Sequence, residues 1–301
     1  MTPGLRAKLL YWFDRSTGVE PRVTPAYSRS HSHRVKTFLN TSHATLGQSS
    51  DQQLELSIGQ VSLRLHVSDA KTFSEASARY RGFAASQKEP FAVYLRNAFS
   101  TNGRNPEFAY EFEAQKAALR AFSRESQFVG ANNPYTLDCL LRILLTWMLL
   151  PREGFLLHAA TVVCDGRAYL LTGKSGAGKS TVASLAPEGS VLTDELSLVR
   201  REDGVWRAYG TPFWGEFRAG DSNTSAPIAG ILRLVQAEEN KIAPLRPVEF
   251  LRAMIGNVLF FSQQSADSQR LLEIVSQAAQ ELRGYSLEFR KDRSFWEVLP
   301  A

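Results

Sequence analysis

The order strand, glycine-rich octet, helix around residues 167–186 leaves this chain few folds to choose from. The octet is Gly173-Lys174-Ser175-Gly176-Ala177-Gly178-Lys179-Ser180, a full G-x-x-x-x-G-K-S phosphate loop. Its glycines are needed because backbone N–H groups must turn inward around an anion and leave no room for a Cβ. The Lys179 ammonium then reaches the β/γ-phosphate oxygens, and the Ser180 hydroxyl is placed for Mg²⁺. Arg167 to Thr172 is an apolar strand leading in, and a short helix beginning near Lys179 runs to Ala186 before Pro187 and Gly189 stop it. The start of that helix adds its positive end to the same anion. A nucleotide is therefore the expected ligand, held by Gly173, Lys174, Ser175, Gly176, Ala177, Gly178, Lys179, Ser180 and Thr181, with ATP and Mg²⁺ as cofactors.

What precedes the loop strand narrows the fold further. Phe155 to Val163 and Arg167 to Thr172 flank Asp165-Gly166, a strong hairpin-turn signal, so the loop strand should run antiparallel to its predecessor. Most phosphate-loop enzymes feed that strand into a parallel sheet through helices. An α/β fold with a mixed sheet is expected instead. Further strands are read at Leu196–Arg200, Val205–Tyr209 and Tyr285–Arg290. Ile228–Val235 lies between them, and helices are read across Pro247–Phe261 and Ser268–Arg283.

Upstream, Leu54–Ile58 and Val61–Val67 alternate with period two about Gly59-Gln60 and predict another hairpin, with strands at Phe91–Leu95 and Phe108–Phe112. The apolar run Leu137–Leu150 contains Asp138 and Arg142, which suits a buried helix near 135–150 rather than a membrane span. We therefore expect an N-terminal α+β domain over 1–150 and a phosphate-loop domain over 151–301. A helix is possible at Leu5–Phe13. The net charge of +5 is carried by residues 1–40, where seven Lys/Arg face Asp14 and Glu20; the remainder balances. Such a basic arm either grips an acidic partner or is simply solvated, and no nucleic-acid motif accompanies it. Two cysteines, Cys139 and Cys164, give no disulfide framework. With no secretion signal at the N-terminus, a cytoplasmic protein with no membrane partner is expected.

The chemistry concentrates after the loop. Val191-Leu-Thr-Asp194-Glu195 is a short strand ending in two carboxylates, and Asp194 follows Lys179 by fifteen residues. Two such groups beside a phosphate loop divide the work: one accepts the proton of an attacking hydroxyl and the other helps hold Mg²⁺. His158, placed midway along the hairpin strand that should pair with the loop strand, is either a core histidine or part of the site. Gly210-Thr-Pro-Phe-Trp-Gly-Glu216-Phe217 is a turn-rich segment whose Trp214 is either packing or a substrate contact, and whose Glu216 is a candidate second Mg²⁺ ligand.

From about 155 to 217 the chain resembles the HPr kinase/phosphorylase family, which shares its phosphate-loop fold with phosphoenolpyruvate carboxykinases. The resemblance lies in Leu157-His158-Ala159-Ala160 before the hairpin, the loop itself, the short helix, the Asp194-Glu195 strand end and the Thr-Pro segment ending at Glu216. It implies a kinase in which Asp194 is the general base, Lys179 the phosphate clamp and His158 an active-site residue. Ser180, Glu195 and Glu216 become the metal-side ligands. It also implies a hydroxyl acceptor, on a protein or peptide serine or a small alcohol, and allows a homo-oligomer. Glu195 stands where the family has a second aspartate, and Thr181 where bacterial HPr kinases have glutamate. Their Arg-Gly segment has no counterpart, which points away from HPr itself and from phosphorolysis. Two other readings stay open. One is a small-metabolite kinase of the shikimate or gluconate type, which the preceding hairpin and short helix disfavour. The other is a non-catalytic nucleotide-binding regulator; Lys174 matches the signature lysine of dimerising ATPases, but Ser175 replaces their glycine.

Overall fold

In the computed structural model, which describes residues 51–86, 88–100, 103–112, 116–174, 176–187, 189–215 and 223–300, the alternating residues after Asp51 form β1 (Gln52–Ile58) and β2 (Val61–Val67). They are antiparallel about Gly59 and Gln60, both at positive φ (56° and 62°), as the hairpin signal predicts. The expected helix at Leu5–Phe13 and the basic arm lie outside the described residues. α1 (Ala70–Arg79) follows, started by Asp69, whose carboxylate accepts the Thr72 N–H at 2.6 Å. β3 (Phe91–Arg96), β4 (Phe108–Phe112), β5 (Ala117–Ala121) and β6 (Glu125–Val129) complete a six-stranded sheet of order β1-β2-β3-β6-β5-β4. Its pairs β2/β3 and β3/β6 are parallel and the rest antiparallel.

α2 (Pro134–Met148) is the expected buried helix. Asn133 caps it by accepting the Thr136 N–H at 2.9 Å, and Pro134 supplies the preset first turn. It packs against β5 on one side and against the first strand of the second sheet on the other. Asp138 and Arg142, which interrupt its apolar run, are both buried. No helix among the described residues is long and apolar enough to cross a membrane.

The second sheet is built from β7 (Gly154–His158), β8 (Ala160–Cys164), β9 (Arg167–Thr172), β10 (Val191–Thr193), β11 (Leu196–Glu202), β12 (Val205–Tyr209) and the long β13 (Ser225–Gln236). To these are added β14 (Lys241–Pro244), β15 (Val258–Leu259) and β16 (Gly284–Phe289). Its main path is β10-β8-β9-β13-β12-β11-β7-β15, with β16 and β14 branching from β13. β8 and β9 are antiparallel about Asp165-Gly166, both at positive φ, while β13 runs parallel to β9 and β16. The architecture is mixed α/β with two mixed sheets.

Phe155 to Val163 is not the single strand that its apolar run suggests. β7 pairs with β11 and β15, whereas β8 pairs with β9 and β10, and Ala159 alone joins the two. The Ala159 carbonyl leaves the ladder and accepts the Ser197 hydroxyl at 2.8 Å, which satisfies it in a fully buried place. Because one residue links strands near opposite ends of the path, the path curls back on itself. Asp194 and Glu195 make the same passage between β10 and β11, beside the first.

Three helices cover the sheet: α3 (Lys179–Leu185), α4 (Pro247–Ile255) and α5 (Ser265–Glu281). α4 and α5 bury Phe250, Met254, Leu271, Ile274 and Val275 on one face, against Phe155, Leu157, Val199 and Ile231. α3 and a C-terminal 3₁₀ turn, Arg293–Val298, cover the other with Val182, Ala183 and Phe295. α4 is shorter than the expected Pro247–Phe261. It ends at Gly256, and Asn257 turns its carbonyl to the His158 N–H at 2.8 Å before β15 pairs with β7.

Candidate active site

The loop between β9 and α3 has the backbone that its glycines permit. Gly173, Gly176 and Gly178 have φ of 154°, 79° and 103°, conformations in which a side chain is strained. Gly178 also lies close against the tip of the Phe289 ring, so any Cβ there would overlap it. Phe289 meets Phe295 edge-on at 6.5 Å, giving the loop an apolar floor. From the side, Gln236 at the end of β13 donates to the Gly176 carbonyl at 2.7 Å. Ala177 N–H closes a turn on the Lys174 carbonyl at 3.0 Å, and Val182 N–H closes the first helical turn on Gly178 at 2.8 Å.

Lys179 is 9% exposed, and its ammonium donates to the Gly173 carbonyl at 3.2 Å. Burial lowers its pKa, with the Glu195 charge acting the other way. Ser180 and Thr181 are half-buried on the first turn of α3, and Lys174 is exposed. Ser175 lies outside the described residues.

The two passages between β7 and β8 and between β10 and β11 bring the remaining groups together. His158 is the last residue of β7 and lies opposite Leu196. It does not sit midway along the partner of the loop strand, because β8 alone fills that position. Its Nε2 stands 3.3 Å from Glu195 Oε1. Burial pushes the Glu195 carboxyl up, but the hydrogen bond from His158 and the charges of His158, Arg142 and Lys179 outweigh it, and the net shift is downward. Glu195 is thus an anion in contact with His158, with the positive charges of Arg142 and Lys179 acting on it.

Asp194 is 2% exposed, and its Oδ1 accepts the Gly215 N–H at 2.9 Å. Gly215 is in close contact with both carboxylates. A Cβ placed on it would overlap Glu195 Oε2 and come within 3.1 Å of Asp194 Oδ2. Thr211 anchors this segment to the passage, donating to the Leu196 carbonyl at 2.6 Å, and Thr193 donates to the same carbonyl at 3.3 Å. Of the residues predicted for the site, His158 and Glu195 are in contact, Asp194 and Glu195 share Gly215, and Lys179 is near enough for its charge to act on Glu195. Glu216 lies outside the described residues.

Three participants escaped the sequence reading. Arg142 looked only like an interruption of an apolar helix, although a buried arginine in such a run is itself a sign of a nearby anion. Gly215 could have been read from Trp-Gly-Glu as a close backbone approach. Asn257 carried no signal beyond following Gly256.

No group of three or more His, Cys, Asp or Glu among the described residues is arranged as a metal cage. Mg²⁺ is ordinarily held by one or two carboxylates together with phosphate oxygens and water. The paired carboxylates of Asp194 and Glu195 about one glycine, on the side of the lysine loop, suit that kind of binding.

The family model for SynChlorMet cassette protein ScmC matches residues 139–298, just over half of the chain. No curated protein matches. Among solved structures, the Hpr(Ser) kinase/phosphatase from Coxiella burnetii is similar at 13% identity and a TM-score of 0.25, covering 42% of this chain and 89% of that one.

Proposed function

The chain belongs to the family of SynChlorMet cassette protein ScmC, and we propose that it is an ATP-dependent phosphotransferase that moves a γ-phosphate to a hydroxyl. The observation that carries this reading is the His158–Glu195 contact beside Asp194, with the charge of the loop lysine, Lys179, acting on Glu195. A bare nucleotide-binding scaffold has no use for a buried and a half-buried carboxylate beside its phosphate loop, since they repel the ligand. A phosphoryl transferase needs them, to remove a proton and to counter the metal.

In this reading the loop amides and Lys179 hold the β/γ-phosphates. The ammonium of Lys179 stabilises charge as it moves to the β–γ bridging oxygen. The acceptor oxygen attacks the γ-phosphorus as the bond to ADP breaks, and its proton passes to an Asp194 carboxylate oxygen. The Gly215 N–H, donating to Asp194 Oδ1, holds that carboxylate in place. His158 orients Glu195 and keeps it ionised. Ser180 and Glu195, with Glu216, are the residues that would hold Mg²⁺, which when bound offsets phosphate charge and orients the transferred group. The kinase-like part is placed at 151–301 and the accessory α+β part at 1–150. The acceptor class is a serine of a protein or peptide, or a small alcohol. A small-metabolite kinase of the shikimate type is the weaker reading, because β9 is antiparallel to the strand before it.

The test is transfer from γ-labelled ATP with Mg²⁺ to serine peptides and simple alcohols, by wild type and Lys179→Met. Label reaching an acceptor with wild type alone supports the proposal. Nucleotide binding in the wild type, with no transfer to any acceptor and no ATP turnover, would refute it.

A further inference from the structure

The floor of the site is tied to the six-stranded layer by a chain of contacts that the phosphoryl chemistry does not itself require. Asp138 of α2 is buried and takes two donors from the end of α1: the Arg79 guanidinium, in an ion pair, and the Tyr80 hydroxyl at 2.6 Å. Tyr80 is fully buried, so the end of α1 is fixed to α2. The guanidinium of Arg79 also stacks on Trp214, its Cζ 4.3 Å from the ring centroid. The next residue is Gly215, whose N–H reaches Asp194. One position earlier, Phe213 is fully buried under the guanidinium of Arg142, 5.0 Å from its ring centroid. Two cations from the α1–α2 layer thus grip two successive aromatic rings, and the peptide after them holds the carboxylate.

We infer that Arg79 and Trp214 are positioning residues for Asp194: they fix the Trp214–Gly215 peptide so that its N–H stays on Oδ1. An aromatic ring under a guanidinium that is already ion-paired is held in both place and tilt, because the ion pair fixes the cation and the ring follows it. Packing alone would hold Trp214 in place, but it would make no use of the cation. The inference rests on Asp194 being the group that takes the proton. It also gives the N-terminal layer a direct part in the site.

The readout is hydrogen exchange of the Gly215 amide, followed by NMR in the full-length ¹⁵N-labelled chain without nucleotide. In wild type this amide is protected by its bond to a carboxylate. Trp214→Leu should speed its exchange by about tenfold or more, the worth of a hydrogen bond to a charged group. Val163 and Val182 amides, bonded elsewhere in the fold, should keep their protection. Trp214→Phe keeps a ring for the cation and should restore protection, as should Arg79→Lys. Protection of Gly215 unchanged in Trp214→Leu would overturn the inference. So would a loss in Trp214→Phe as large as in Trp214→Leu, because the ring would then act by shape alone. Neither outcome depends on turnover. A wild type that transfers no phosphate would sink the phosphotransferase reading, while Gly215 exchange would still decide this one.

Discussion

His158 and Glu195 meet at 3.3 Å because two strand passages, at Ala159 and at Asp194-Glu195, lie side by side where the second sheet curls back. If the pair acts as a unit, its members cannot be removed independently. His158→Gln and Glu195→Gln should each lower transfer, and the double variant should be little worse than the more damaging single one. Contacting residues of this kind show coupling of about 0.5–3 kcal/mol. A double-mutant cycle on kcat/KM measures it, and strict additivity would separate His158 from Glu195.

Lys179 bears a burial cost in the absence of nucleotide, since its charge is desolvated and, among the described residues, its ammonium makes one hydrogen bond, to Gly173. Lys179→Met should therefore leave the nucleotide-free fold at least as stable as wild type. The same variant should lose about 10²-fold or more in transfer, the scale of removing one preorganised charge from a transition state. Thermal melting with and without ATP·Mg²⁺ checks the first half. A large drop in nucleotide-free Tm would mean that the lysine holds the loop together.

Gly178→Ala should fail twice over, through a φ of 103° and through overlap with the Phe289 ring. Overpacking of this kind costs about 1–3 kcal/mol. Adding Phe289→Leu relieves the overlap but not the backbone strain. Stability should then recover in part while ATP affinity stays low, as read by urea unfolding and nucleotide titration.

The floor of the loop also predicts a pH effect. Asp292 caps the turn that carries Phe295, accepting the Ser294 N–H at 2.9 Å, and its bonds to Ser294 and Arg290 draw its pKa down to about 2. For a carboxyl lowered in the fold, the stabilisation is complete above the unfolded value near 3.8 and disappears as pH falls through about 2. The stability difference between wild type and Asp292→Asn should be constant above about pH 5 and shrink below about pH 4. A difference that grows on acidification would contradict the assignment.

Local chemistry made much of this legible. The Gly59-Gln60 and Asp165-Gly166 turns, the loop glycines and the carboxylates after β10 each announce themselves within a few residues, and the two hairpin turns fall where the sequence predicts them. What the sequence hid was set by distant partners. Ala159 breaks an apolar run only because β7 and β8 pair with different strands. Asn257 stops α4 to meet His158, exactly one residue past the glycine C-cap and with no local sign of its partner. α1 was missed although Asp69 is a good cap, because Thr72, Ala76 and Tyr80 make a narrow buried stripe in a polar segment. Arg142 reads as a flaw in a helix until Glu195 is set near it by the fold.

The central claim is that Asp194 takes the acceptor proton, and Asp194→Asn tests it most directly. The amide keeps the size and can still accept the Gly215 N–H, but it cannot act as a base. Transfer and ATP affinity should be measured together in wild type and variant, with the same acceptor. The account predicts transfer reduced by about 10²–10⁴-fold, the usual contribution of a general base, with ATP still bound in the loop. Undiminished transfer by Asp194→Asn would contradict it.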